Sequence, residues 1–327
     1  MKKIVALIMC VVICLSMMVG CKKDDNNTII IYTCATDYRI DDMTEQLEAQ
    51  FPEYKFVIEY QSTSKLAAKL LAEGTNTDCD IVHDLSYLNM ETLARENILA
   101  DLSSYDTSIY TDDVVASKYY LPELRTGGAI IVNTEVLAER NLAKPTSYED
   151  LLKPEYKGLI SMPDPKSSGT GYMFVKALVN AWGEEKAFDY FKKLSDNIQQ
   201  FTSSGSGPVN ALAQKEAAIG LGMVANAATQ INEGVPLEII FFEEGSPSTA
   251  YGMSMIDGKD ERECVKKVFD YIVNTYNYRS CEKYAPEQIY KDKTFDVENF
   301  PKDIKYADMT GDTVEEKERL LSKWGNW

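Results

Sequence analysis

Four short runs of hydroxyl and glycine residues carry the chemistry this sequence could do. They are Thr33 to Tyr38, Ser62 to Ser64, Ser167 to Tyr172 and Thr202 to Gly207. Each follows an apolar, strand-like stretch and precedes a helical one. A polar run in that place sets hydroxyls and free backbone N–H groups at the positive end of a helix, which carries about half a unit charge. Glycine lets an anion approach the backbone closely. The candidate contacts within these runs are Thr36, Asp37, Ser64, Ser168, Gly169, Thr170, Gly171, Ser204, Gly205 and Ser206. Serine and threonine are also ordinary helix caps, so one such run means little. Two in the same half of the chain, each with two glycines, favour a bound anion.

Three further residues could select the organic part of a ligand. Asn226 follows the apolar run "AIGLGM", and Glu243 and Glu244 stand in the loop "FFEEGSPSTAYG". Carboxylates there could accept from sugar hydroxyls or pair with an amine; a solvated loop reads equally well.

Other chemistries find less support. A serine nucleophile needs a base, and His83, beside Asp84, is the single histidine. No GxSxG occurs. "STSK" at Ser62 to Lys65 has serine–lysine spacing without the motifs that accompany it. Neither a phosphate-binding GxxxxGK[ST] nor a GxGxxG is present. One histidine, no HExxH and no Asp-rich loop argue against a metal site. Tyr119 and Tyr120 form a tyrosine pair near the expected hinge, where packing is the simpler role. The chain is therefore expected to have no catalytic residues, no cofactor and no metal.

The elements that must position these runs alternate. "TIIIYTCAT", "YKFVIEYQ" and "CDIVHDL" read as strands. "IDDMTEQLEAQFPEY", with Met43, Leu47 and Phe51 four apart, reads as a helix, as do "STSKLAAKLLAEG" and "NMETLARENILADLS". The second half repeats the style. "GGAIIVNTEVL" and "GLISMPDP" open strands. "TSYEDLLKPEYKG" reads as a capped helix stopped by Pro154. Two helices divide near Gly183, and Pro208 suits a first helical position. This order predicts an α/β chain of two lobes, each a mainly parallel sheet covered by helices. Lobe 1 is expected over 28–125 and 250–327, and lobe 2 over 128–248. Ligands of open α/β sheets sit beyond the carboxyl ends of the strands, so two facing lobes make a cleft.

Composition fixes the address. Lys2 and Lys3 precede an apolar stretch from Ile4 to Val19, and "MVGC" follows. This predicts a lipoprotein signal over 1–20, cleaved before a lipidated Cys21, with 21–27 as a polar tether. One lipidated cysteine anchors a protein to a membrane face without spanning it. The protein is expected on the outer face of the plasma membrane, periplasmic if the cell has two membranes. Loss of both signal lysines takes the formal charge from −17 to −19. That surface argues against nucleic acid and against adhesion to anionic lipid. Cys34, Cys79, Cys264 and Cys281 show no CxxC, and their pairing cannot be read from sequence.

The signal, the two lobes, "DPKSSGTGY", "GEEKAFDYFKKLSDNIQQFTSSGSGP", "AAIGLGM" and the tail "DMTGDTVEEKERLLSKW" together resemble the extracellular solute-binding proteins of ABC importers. The branch is the ferric-iron or AfuA-like one, whose members include binders of hexose phosphates and phosphonates. The resemblance covers nearly the whole mature chain and is most specific from Met162 to Met223. It implies the two-lobed type II periplasmic-binding-protein fold, and a monomer that delivers its solute to a permease with a separate ATPase. It also implies that the SGTGY and SGSGP turns contact phosphate. The ferric members' tyrosine pair falls on Val224 and Ala225, and their early histidine or glutamate on Thr36 and Asp37, so the iron ligands are missing. The His-Asp pair of the sugar-phosphate binders falls on Ala225 and Asn226, and their acidic loop residue on Glu243 or Glu244. The expectation is a binder of a small phosphorylated or phosphonate anion. Its rivals are a ferric or other metal carrier, a secreted hydrolase using Ser62 or His83, and a binder of neutral sugars or polyamines.

Overall fold

The computed structural model describes residues 27–326. The expected signal peptide and lipidated Cys21 lie outside these residues, as does the tether apart from Asn27. The first β-branched run forms β1 (Thr28–Thr33). Helix α1 (Asp37–Gln50) follows, and its Met43 and Leu47 are buried together with Phe51 at its end. The four-residue spacing thus becomes one apolar stripe on the sheet, each large side chain worth about 1.5–3 kcal/mol when fully buried. Next come β2 (Lys55–Tyr60) and α2 (Thr63–Glu73), which ends on Gly74 at φ 58°. Strand β3 (Ile81–Ser86) leads into α3 (Tyr87–Arg95).

Strand β4 (Leu121–Asn133) then runs through both lobes. After it come α4 (Thr134–Glu139), β5 (Ile160–Pro163), α5 (Gly169–Trp182), α6 (Glu184–Leu194), β6 (Ile198–Thr202) and α7 (Gly207–Ala213). Strand β7 (Ile219–Met223), α8 (Val224–Asn232) and β8 (Leu237–Ile240) complete lobe 2. Strand β9 (Ser248–Met255) returns to lobe 1. There α9 (Glu263–Tyr271) continues through a π-helical turn, Ile272–Tyr276, into α10 (Asn277–Tyr284). The last helix is α11 (Val314–Lys323).

The strands run in the order β2-β1-β3-β9-β4-β7-β5-β6, with β8 also on β4. Strands β1, β2 and β3 are parallel, as are β5, β6 and β7; β9 runs against β3 and β4, and β4 runs against β7 and β8. This is the two-lobed type II arrangement. Residues Leu121 to Gly127 of β4 pair with β9, while Gly128 to Val132 pair with β7 and Ile130 to Asn133 with β8. The change of sheet falls between two glycines for a packing reason. A Cβ on Gly127 would lie 2.7 Å from Ser246 Oγ, and one on Gly128 2.8 Å from Met173 Cε.

Two differences from the sequence expectation have local causes. "TSYEDLLKPEYKG" forms two 3₁₀ turns, Glu149–Leu152 and Pro154–Tyr156, instead of an α-helix. Pro154 cannot donate to a helical ladder. Asn197 Nδ2 also takes the Leu151 and Lys153 carbonyls, at 2.7 and 2.9 Å. The tail does not stay on lobe 1. Glu315 pairs with Arg95 of α3, and Lys317 Nζ donates to Asn89 Oδ1 at 2.6 Å. On the lobe 2 side, Arg319 pairs with Glu184 at 2.6 Å and Trp324 packs edge-on against Phe191. Helix α11 therefore sits astride both lobes. Thr313 caps it with Oγ1 accepting from Glu316 N–H, a Thr-x-x-Glu pattern that marks a helix start.

Candidate functional site

Between the lobes lies a cavity of about 60 Å³, several times the roughly 10–15 Å³ that one water occupies on the same scale. Five helices begin at it. Lobe 1 contributes Cys34, Thr36, Tyr38, Arg39, Tyr60, Ser62, Thr63 and Asp84, and lobe 2 Thr170, Ser204, Gly205, Ser206, Met223, Ala225 and Asn226. Leu124, Arg125, Thr126 and Tyr251 come from the crossing strands, Tyr284 and Ala285 from the end of α10. The lobes touch around it: Ser64 N–H of lobe 1 donates to the Ser167 carbonyl of lobe 2 at 3.3 Å. The form described is closed.

The hydroxyls divide into two kinds. Ser168 is a true cap: its Oγ accepts from Gly171 N–H at 3.4 Å. Thr36 and Ser62 occupy the cap positions of α1 and α2 with extended backbone, yet make no cap hydrogen bond. Thr36 Oγ1 and Ser62 Oγ are buried and have no partner among the described residues. A buried polar group left unpaired costs about 1–3 kcal/mol. Two such hydroxyls on one cavity form an acceptor-and-donor pair waiting for a polar solute. Opposite them stand Thr170, 1% exposed, and the Ser204-Gly205-Ser206 turn. Asn226 Nδ2 donates to the Ser206 carbonyl at 3.4 Å, which ties the turn to α8. Tyr251 is buried; burial pushes its phenol up, while the hydroxyls of Thr170 and Thr63, one from each lobe, pull the other way.

Beneath the lobe 1 wall lies a charge cluster. Arg39 donates to Asp84 Oδ2 at 2.6 Å, Glu123 Oε1 at 2.5 Å and Ser280 Oγ at 3.4 Å. His83 lies against it, Nε2 3.2 Å from Glu123 Oε1 and Nδ1 3.2 Å from Thr33 Oγ1. Burial pushes the Glu123 carboxyl up to about 8, the neighbouring Asp84 adds to this, and Arg39 opposes it. Burial also raises Asp84 and holds His83 neutral, well below its usual range. Asp84 has φ 55°, at a bulge in β3 between Val82 and Leu85. A non-glycine residue held there costs about 1–3 kcal/mol, and such strain is common at ligand clamps.

Of the residues expected from sequence, Thr36, Thr170, Ser204, Gly205, Ser206 and Asn226 are brought together on the cavity. Ser168, Gly169 and Gly171 stand just behind it. A Cβ on Gly171 would lie 2.4 Å from the Pro163 carbonyl, so this glycine serves close packing of α5 on β5. Ser64 gives way to Ser62 and Thr63 as lining residues, and Asp37 is exposed. Glu243 and Glu244 are not brought to the cavity. Glu244 accepts from Trp182 Nε1 at 3.0 Å, and the Glu243 carbonyl accepts from Lys305. The loop turns away at Gly245, φ 89°, packed against the backbone of Lys305 to Ala307. Cys34, Tyr38, Arg39, Tyr60, Asp84, Arg125, Thr126, Tyr251 and Tyr284 line the cavity without having been singled out.

The hydrolase geometry is not assembled. His83 faces Thr33 and Glu123, and Lys65 is exposed while Ser62 is buried. No disulfide joins Cys34, Cys79 and Cys281. Among the described residues, no three His, Cys, Asp or Glu side chains are grouped to hold a metal, and no helix is long and apolar enough to cross a membrane.

A family model described as bacterial extracellular solute-binding protein matches residues 94–311. The chain is 32% identical over 202 residues to an uncharacterised protein of Haemophilus influenzae, covering 59% of this chain and 58% of the other. It is 26% identical over 242 residues to the spermidine/putrescine-binding periplasmic protein of Escherichia coli, covering 68% and 66%. It thus spans less than two thirds of the length of these curated relatives. Among solved structures, the periplasmic binding protein AfuA from Actinobacillus pleuropneumoniae, with exogenous fructose-6-phosphate bound, superposes with a TM-score of 0.81. The two are 26% identical over 91% of this chain and 98% of that one. Iron-bound HitA from Pseudomonas aeruginosa has the same fold, at a TM-score of 0.72 and 16% identity over 91% and 99% of the chains.

Proposed function

This chain belongs to the bacterial extracellular solute-binding proteins, and from that premise we propose that it captures a small organic phosphate or phosphonate between its lobes. In this reading it is a monomer tethered by a lipid on Cys21, and it passes the solute to an importer's permease, whose ATPase is a separate chain. Lobe 1 comprises 28–125 and the chain that returns from 250 into α10, lobe 2 comprises 128–248, and α11 lies astride both. The observation that carries the reading is the pair of buried, unpartnered hydroxyls on Thr36 and Ser62, facing Thr170 and the Ser204–Ser206 turn. Helix N-termini behind these groups favour negative charge. AfuA, the similar protein with a phosphorylated sugar bound, agrees with this chemistry. Contacts to both lobes stabilise the closed form, because a ligand shifts such an equilibrium only by its differential affinity.

The other solutes fit less well. An amine needs an accessible carboxylate, and Asp84 is already held by Arg39 while Glu244 is held by Trp182. Where ferric binders carry a tyrosine pair, Val224 is buried in lobe 2 and Ala225 lines the cavity.

Calorimetry with fructose 6-phosphate, 2-aminoethylphosphonate, inorganic phosphate, spermidine and ferric citrate tests the proposal. A phosphorylated compound should bind, and Ser62→Ala should weaken it about tenfold or more, as for a hydrogen bond to a charged group. The unliganded Tm should hold or rise, since Ser62 Oγ has no partner to lose and its unpaired burial costs about 1–3 kcal/mol. Binding of spermidine or ferric ion with none of a phosphorylated compound would overturn the reading.

A further inference from the structure

We infer that Arg125 is the residue that selects for charge in this cavity, by exchanging a weak exterior carboxylate for the anionic group of the solute. The inference rests on the anion reading above and names the cation that reading requires. Two arginines line the cavity, Arg39 and Arg125. Arg39 is spent: its three nitrogens donate to Asp84, Glu123 and Ser280, all buried. Its charge is answered from within the wall, and breaking a buried pair of this kind is strongly unfavourable. Arg125 is held quite differently. Its side chain is 23% exposed; it pairs directly with Asp113, whose side chain is 60% exposed, and its charge is felt at a longer range by the buried Glu287. An exposed pair contributes little and is screened by salt. A solute anion in the enclosed cavity is screened far less, so it outcompetes Asp113.

The position suits this role. Arg125 lies on β4 between Leu124 and Thr126, both also lining, and two residues before the change of sheet at Gly127. Its guanidinium carbon lies 6.0 Å from the centre of the Tyr306 ring, a face on which a guanidinium can turn while remaining stabilised. A planar guanidinium also fits two oxygens of a phosphate at once, which a lysine cannot do. The solute's anionic end would then bear on the strand where the lobes part.

Calorimetry at low salt with fructose 6-phosphate compares the wild type, Arg125→Gln, Arg125→Lys and Asp113→Asn. Arg125→Gln should lose about 10- to 100-fold in affinity, as for charge-assisted hydrogen bonds, and Arg125→Lys should recover part of it. Asp113→Asn removes the competitor and should gain roughly two- to fivefold, a gain that damage to the fold cannot produce. If the wild type binds fructose 6-phosphate but Arg125→Gln binds it equally well, or Asp113→Asn gives no gain, the exchange is wrong and the anion reading stands. If the wild type binds neither fructose 6-phosphate nor 2-aminoethylphosphonate nor phosphate, both fall.

Discussion

Glu287 gives a sharp test of the energetics, because a full carboxyl is buried at the point where the lobes join. It is 5% exposed; Oε1 accepts from Tyr306 O–H at 2.8 Å and Oε2 has no partner among the described residues. A Cβ on Gly127 would lie 2.9 Å from Oε1, so the group sits against the strand crossing. Burial above all pushes its carboxyl from 4.5 up to about 7, with Tyr306 and then Arg125 opposing. The folded state therefore holds this proton more tightly than the unfolded chain does. Between pH 4.5 and about 7 the folded form binds more protons, so the stability from this group is complete below 4.5 and lost as pH rises through 7. At about 1.4 kcal/mol per tenfold change in proton affinity, the loss is roughly 3 kcal/mol. Glu287→Gln cannot ionise and keeps nearly the same shape. Urea unfolding of both proteins from pH 4 to 8 should show the variant gaining on the wild type across that window by about 3 kcal/mol. Taking the difference cancels the other buried carboxyls, Asp84 and Glu123. Parallel curves would refute the reasoning, since they would mean that Glu287 titrates alike in the folded and unfolded chains.

Two other substitutions probe different parts of the site. Arg39→Met leaves Asp84 and Glu123 without their shared cation and should cost about 3–5 kcal/mol near neutral pH. Urea midpoints of the wild type and the variant check this. Gly205→Ala places a methyl 2.2 Å from Thr170 Oγ1. It should cost about 1–3 kcal/mol through overpacking and reduce fructose 6-phosphate binding at least tenfold with circular dichroism unchanged. Unaltered affinity would show that the turn can yield at no cost.

The strand-and-helix alternation was legible because each element has its own apolar period and its own punctuation. Met43, Leu47 and Phe51 announce α1, and Gly74 ends α2 as expected. The four polar runs were legible as helix mouths, and all four reach the cavity. Which side chains would face it was not. Ser168 looks like Ser62 in sequence, but one caps its helix and the other leaves its hydroxyl free. That difference depends on the backbone of the first turn, which composition does not encode. The charge cluster was illegible because Arg39, His83, Asp84 and Glu123 come from α1, β3 and β4, up to 84 residues apart. Glu243 and Glu244 were misleading for the opposite reason: a local run of charge in a loop says nothing about which way Gly245 turns it.

Helix α11 has a consequence for how the molecule comes apart. Strand β4 gives half its length to each sheet, and Trp324, almost the last residue, packs in the lobe 2 core beside Phe191. The opposite flank of the same helix grips α3 through Glu315 and Lys317. Neither half of the chain can be excised with its own sheet and core complete. Two cores separated by a hinge would ordinarily melt one after the other. Here the thread that is laid down last stitches them, so a single calorimetric transition is expected, and cutting the chain before Val314 should split it into two.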